Sequence, residues 1–224
     1  MPVEKSLAAS SRGERRTQLQ RRTATRAALL KAAAEVVVER GVRSATLAAV
    51  GERAGYSRGI VTHHFGSKQA LFQALAESSQ SGFVPGIGDM PPGLDHLIAL
   101  IDGYIRRLRD GAVAGRAFLL LWVEAATSPE LSAVFQERDD RFRADLRTDI
   151  TAGIAEGEIR VEADPDATAI AILGQLRGIG MQQLLAPAAL DSPRLSRVVA
   201  DQWLRALRRQ PAPSPAPPRR PRRG

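Results

Sequence analysis

The chain contains no cysteine, which removes disulfides, thiol nucleophiles and cysteine-ligated zinc or iron–sulfur centres together. Histidine is nearly as scarce: His63, His64 and His96 are the only three. The first two are adjacent, and neighbouring helical residues point about 100° apart. They do not readily share an ion, so no metal and no cofactor is expected. Aromatic residues make up only 4% of the chain, and lysine is almost replaced by arginine, 3 against 29. No stretch reaches the roughly 18 uncharged apolar residues needed to span a bilayer. The basic N-terminus lacks the apolar run of a secretory signal. No membrane association and a cytoplasmic location are expected. Also missing are a glycine-rich phosphate loop after a strand, a nucleophile elbow and a histidine pair at i, i+4. No catalytic residue is nominated, and a non-enzyme is expected. Asp139 and Asp140 sit side by side in a charged stretch, which reads as solvated surface.

What is present is a 224-residue chain of 24.1 kDa with 44% hydrophobic residues. A chain of this length forms one large or two small domains and buries roughly 70% of its extended surface. The formal charge is +8, unevenly spread: residues 1–80 carry a balance of +7, residues 81–206 a balance of −5, and residues 207–224 a balance of +6. A positive front third on a mildly acidic body suggests a polyanion-binding module attached to a domain with other work. Residues 1–22 are poor in apolar side chains and are expected to be a disordered basic arm. Residues 210–224, with their prolines and arginines, are expected to be a disordered tail.

Between these ends the pattern is helical nearly throughout. Apolar residues recur at helical spacing over 25–40, and Gly41 ends that run. Thr46 opens a short helix that Gly55 closes. Ser57 caps a third helix and Ser67 a fourth. A Gly/Pro linker covers 81–93. Helices are expected over 94–110 and 113–126. Ser128–Pro129 opens another to about 155, Asp164–Pro165 one to about 185, and Ser192–Pro193 one to about 209, each pairing a cap with proline at the first helical position. The fold class is all-α with about nine helices: a three-helix helix-turn-helix domain with a linking helix at 23–80, and a helical ligand-binding and dimerisation domain at 94–209.

The turn Gly55–Tyr56–Ser57 between two short helices is the sharpest local signal, since two helices joined so tightly form a helix-turn-helix. The second helix presents Arg58, Gly59, Thr62 and His63 outward, with Ile60, Val61 and Phe65 inward. The segment from Thr25 to Leu75 resembles the TetR family of bacterial transcriptional repressors. It shares the opening helix, the Gly41 turn, the threonine before the bracing helix, Ala54–Gly55, Ser57, His64–Phe65, Ser67–Lys68 and Leu71. The resemblance implies phosphate contacts from Thr46 and Lys68, and contacts to backbone or base edges from Tyr56 and Ser57. It places Arg58, Gly59 and Thr62 toward the groove and His63 and His64 at the end of the reading helix. Two positions depart from the pattern: Thr62 stands where tyrosine is frequent, and Gly51 where alanine is usual.

The body is expected to sense a small molecule through Tyr104, Phe118, Trp122, Phe135 and Phe142, with Arg177 meeting an acidic ligand or an intersubunit partner. The last two helices form a hairpin, and glycines within the penultimate one suggest a close partner helix. Gly174, Gly178, Met181, Leu195, Val199 and Trp203 are the expected dimer contacts. These expectations describe a homodimeric, ligand-responsive repressor reading a palindromic site on double-stranded DNA. Two alternatives stay open at this point: a non-specific architectural DNA-binding protein, and a helical small-molecule enzyme.

Overall fold

In the computed structural model, residues 3–80, 84, 86–109, 113–186 and 192–209 are described. The described residues form nine α-helices: α1 Val3–Arg40, α2 Leu47–Ala54, α3 Arg58–Phe65, α4 Lys68–Gln80, α5 Leu94–Arg109, α6 Val113–Ala125, α7 Pro129–Ala155, α8 Pro165–Leu185 and α9 Ser192–Leu207. A 3-10 turn, Ile87–Asp89, lies within the expected linker. The tail at 210–224 lies outside the described residues. At the other end the outcome differs from expectation: α1 starts at Val3, so the helix runs through the segment assigned to a disordered arm. That segment is poor in apolar side chains. It is nevertheless rich in Ala, Leu, Glu, Gln and Arg, which favour helix regardless of burial.

Local chemistry sets the helix ends. The Thr46 hydroxyl accepts the Ala49 N–H at 3.1 Å and starts α2. The Ser57 hydroxyl accepts from Ile60 at 3.4 Å and starts α3, and Ser67 accepts from Ala70 at 3.1 Å at the head of α4. Asp164 accepts from Asp166 and Ala167 at the head of α8. Such caps satisfy backbone donors that the helix itself leaves orphaned. Gly55 turns the chain out of α2 with φ of 74°, a left-handed conformation that suits glycine. Gly51 serves a different purpose. A Cβ there would lie 2.8 Å from the Tyr56 carbonyl oxygen and 3.1 Å from the Ser57 carbonyl carbon, so its absence lets the turn fold back against α2. The departure from the family pattern at this position thus sits at the tightest backbone contact of the turn.

The apolar residues collect in two clusters. The first holds Leu29, Val36 and Val37 of α1, Val50, Val61, and Leu71, Phe72 and Leu75 of α4. It continues without a break into Ala117, Phe118 and Leu121 of α6 and Leu131 and Phe135 of α7. The second joins Leu97, Ile101, Tyr104 and Ile105 of α5, Leu146 and Ile150 of α7, Ile172 and Leu176 of α8, and Val199 and Leu207 of α9. A polar node sits at their seam. Arg177 of α8 donates to the Tyr104 hydroxyl of α5 at 2.6 Å and to Asp139 of α7 at 3.0 Å. Trp122 of α6 donates its indole N–H to the other oxygen of Asp139 at 2.9 Å. One carboxylate and one guanidinium therefore join four helices. The buried carboxylate of Asp149 accepts the Gly93 N–H at 3.3 Å and lies 2.8 Å from the His96 ring, fixing the start of α5 on α7. Burial raises the pKa of Asp149 above its ordinary value, and His96 opposes that shift.

Two stability predictions follow from this packing. Gly51→Ala gains helix propensity of about 1 kcal/mol but presses a methyl group on backbone atoms, and overpacking costs about 1–3 kcal/mol. Thermal melting followed by circular dichroism should show Tm lowered by about 2–4 °C; a raised Tm would refute the close-approach account. Asp139→Ala leaves Arg177 buried and unpaired. Urea titration should show a loss of about 3–5 kcal/mol, with the double replacement Arg177→Met, Asp139→Leu costing less than Asp139→Ala alone.

Candidate DNA-reading surface and sensor core

The helix-turn-helix places its side chains largely as the sequence suggested. Val61 is fully buried and anchors α3, while Arg58, Gly59, Thr62 and His63 are exposed. Ile60 is a correction: it is 38% exposed and shares the outer surface. An eight-residue helix seated mainly through one residue per two turns has little inward face, and Val61 with the half-buried Phe65 takes it. A Cβ on Gly59 would meet only the Ser57 hydroxyl, at 3.6 Å, so intrachain packing does not demand glycine there.

The hydroxyls nearby are partly committed. Thr62 donates to the Arg58 carbonyl at 3.1 Å, which leaves its oxygen as an acceptor. Thr46 and Ser57 spend one lone pair on their caps and keep the hydroxyl proton available. The exposed Tyr56 hydroxyl lies 3.5 Å from the Thr25 hydroxyl of α1. Lys68 donates to the Arg43 carbonyl at 2.9 Å and lies 5.3 Å from the centre of the Phe72 ring. Partial burial lowers its pKa from the ordinary lysine value. Its ammonium retains two further donors beside the α1–α2 turn. His63 and His64 meet edge to face at 5.8 Å, with the Phe65 ring 6.2 Å from His64.

In the body, the expected ligand residues converge on the polar node. The Arg177 guanidinium lies 4.9 Å from the centre of the Phe118 ring, 5.9 Å from Phe142 and 6.0 Å from Tyr104. Tyr104 stacks on Phe142 at 6.1 Å, and Phe135 tilts against Phe118 at 5.3 Å. Arg177 is only 4% exposed and pairs with Asp139 of its own chain, so the intersubunit role proposed for it is corrected. Its Nε is buried without a hydrogen-bond partner. Burial also raises the Tyr104 pKa, with Arg177 opposing. The expectation that Asp139 lies with Asp140 on solvated surface is corrected: Asp139 joins the node. It shares an adjacent acid with Asp140, but Asp140 pairs with Arg143 at the surface while Asp139 turns inward. The signal was its spacing: Asp139 stands four residues after Phe135 and three before Phe142, on the buried side of α7.

The expected dimer contacts divide. Gly174 and Gly178 face open space on α8, beside the exposed Ile170 and Leu185. Gly180 points the other way, where a Cβ would come within 3.0 Å of Leu119 in the same chain. Met181 is half-buried against the first cluster, and Leu195 and Trp203 against the second. Trp203 also donates to Gln175 at 2.6 Å. Val199 is corrected: at 4% exposure it belongs to the core, and Val198 is the outward residue of that turn. The inner stripe of α9 supplies Leu195, Val199 and Trp203 because residues three or four apart share a face.

Two family profiles cover most of this architecture. That of bacterial regulatory proteins of the tetR family matches residues 29–75, and that of the BetI-type transcriptional repressor C-terminal domain matches residues 94–209. The HTH-type transcriptional regulator BetI 1 of Chromohalobacter salexigens is 26% identical over 196 residues, covering 84% of this chain and 92% of that relative. Among solved structures, the SmeT–triclosan complex superposes with a TM-score of 0.70 at 23% identity, covering 87% of this chain and 98% of that one. AibR in complex with isovaleryl coenzyme A and operator DNA does so with a TM-score of 0.65 at 17% identity, covering 80% and 97%. With one profile spanning the reading module and the other more than half of the chain, this protein belongs to the TetR family of bacterial transcriptional regulators and carries a BetI-type repressor body.

Proposed function

We propose that the protein represses transcription as a homodimer whose two α3 helices enter successive major grooves of a palindromic operator, and that a small molecule in the body releases it. The single observation that carries this reading is the exposure of the α3 outer face on a module whose apolar core runs directly into α6 and α7 of the body. Residues 23–80 are the reading module and 94–209 the sensing and dimerising body. Arg58, Gly59, Ile60 and Thr62 face the bases, with Arg58 suited to a guanine edge. Thr46, Tyr56, Ser57, His63, His64 and Lys68 position the duplex through its backbone. A regulator of this kind works on DNA in the cytoplasm and performs no turnover.

For the dimer, the open faces at Gly174 and Gly178, flanked by Ile170, Leu185 and Val198, suit α8 and α9 to meet their counterparts in a twofold four-helix contact. For the effector, the aromatic side chains around Arg177 form the sensing centre. SmeT with triclosan and AibR with a coenzyme A ester are relatives in fold whose structures hold small molecules. An effector that disturbs the Arg177–Asp139 pair shifts α6 and α7 relative to one another. Both pack on α4, and α6 packs on α1, so the spacing of the reading heads changes. The effector must bind the two states unequally, because equal affinity shifts nothing.

Fluorescence anisotropy with a labelled duplex from the region upstream of the protein's own gene should show salt-sensitive binding that exceeds binding to shuffled DNA. Arg58→Ala should narrow that difference at least tenfold, as expected for a bidentate base contact worth about 1–3 kcal/mol. Equal affinity for operator and shuffled duplex would reject sequence-specific repression in favour of the architectural reading. Sedimentation at micromolar concentration should give about twice the 24.1 kDa chain mass, and Gly178→Arg should return the protein to the monomer.

A further inference from the structure

The family profile for the reading module begins at residue 29, and the structure continues α1 well before it. From residue 18 onward, Leu29 is the first fully buried residue of α1; among residues 18–28 only Thr25 is even partly buried. This stem stands about 16 Å beyond the core at 1.5 Å per residue. Two contacts hold it beside the reading head. The Thr25 hydroxyl lies 3.5 Å from the Tyr56 hydroxyl, and the Arg26 guanidinium lies over the Phe65 ring at 5.2 Å. Between the stem and the C-terminal end of α3 is an open cleft of about 550 Å³. Gln18, Leu19, Arg21, Arg22 and Thr25 form one wall and His63 and His64 the other, and among the described residues no acidic side chain lines it.

The surroundings of His64 show the sign of the partner. Burial first, then the charges of His63, Arg22 and Arg26, hold its pKa below the ordinary histidine value. Arg21 and Arg22 in the cleft wall and Arg26 beside it bring positive charge to this end of α3, which favours an anion. Its position says which anion. A recognition helix contacts bases through its N-terminal residues, so its far end, where His63 and His64 lie, meets the rim of the major groove. The sugar–phosphate strand runs along that rim. Arginine forks suit phosphate oxygens geometrically as well as electrically.

We propose that the cleft between the α1 stem and the end of α3 is a second DNA-binding site, which straddles the phosphate strand bordering the major groove with Arg21 and Arg22 on one side and His63 on the other. It carries no base preference and lengthens each half-site's backbone contact beyond the helix-turn-helix. The assignment rests on α3 being the reading helix, and its test is built to separate the two.

The experiment measures dissociation constants of the full chain for operator duplex across a range of salt concentrations. Four proteins are compared: wild type, Arg58→Ala, the double variant Arg21→Ala with Arg22→Ala, and a charge-matched control, Arg141→Ala with Arg143→Ala on α7. All four exposed or half-exposed arginines lie outside the buried core, and far-UV melting confirms that each variant is folded. Each lost phosphate contact lowers the slope of log K against log salt by roughly 0.9. The Arg21/Arg22 variant should therefore lose about 3–4 from the slope of a dimer, bind at least tenfold more weakly near physiological salt, and discriminate operator from shuffled DNA as wild type does. Hydroxyl-radical footprints should shorten at both outer edges. An unchanged slope in the Arg21/Arg22 variant, while wild type reads the operator and Arg58→Ala loses discrimination, overturns this site alone. An equal loss of slope in the α7 control also overturns it, since net charge then suffices. A wild type without salt-sensitive duplex binding overturns the reading helix and the cleft together.

Discussion

The body of this protein is organised by one ion pair, whose guanidinium is buried at the seam of the two apolar clusters. Arg177 gives up almost all of its water and Asp139 much of it, and that cost is offset by the Tyr104 and Trp122 hydrogen bonds and by three aromatic rings around the guanidinium, although the Arg177 Nε stays without a partner. Each of the four side chains comes from a different helix. A one-residue shift of any helix rotates its member by about 100° and breaks the node. Apolar packing tolerates sliding and exchange of neighbours; this set of partners does not. The node thus fixes the register of α5, α6, α7 and α8, and the apolar clusters on either side fill around it.

Its place at the seam also matters for communication. Phe118 belongs to the cluster that reaches α1 and α4, whereas Tyr104 and Phe142 belong to the cluster built on α5, α8 and α9. A change at the node is felt by both. The surface ties between the reading module and the body, Arg43 to Glu124 at 3.3 Å and Gln69 to the Glu130 carbonyl at 3.4 Å, are exposed and weak by comparison. The continuous apolar packing, rather than these ties, couples the reading module to α6 and α7.

Much of this was legible in the sequence because its punctuation is local. Thr46, Ser57, Asp164 and the glycine at 55 act within four residues of themselves, so helix number, order and ends could be read from spacing. The reading surface was legible for a similar reason, since a tight turn dictates which side of a short helix is left over. What could not be read depended on which of two apolar stripes meets which neighbour. Val199 lies on a stripe equally suited to a core or to a second chain, and only the packing of α5 against α9 decides. Asp139 was hidden by Asp140: a pair of acids looks like surface until its position relative to Phe135 and Phe142 is taken into account. Ile60 turned outward because a helix of eight residues has room for few inward anchors. Low apolar content concealed the early start of α1, although the same residues favour helix.

The unbroken course of α1 has a mechanical consequence. Its buried half rests on α6, and the stem over residues 18–28 continues beyond that contact as the same stiff rod. The contact with α6 is then a fulcrum and the stem a lever arm. For an arm of about 16 Å, a tilt of about 10° at the pivot sweeps the tip through roughly 3 Å. That is the length of a hydrogen bond, so a small adjustment inside the body is magnified into a make-or-break displacement at the far end of the rod.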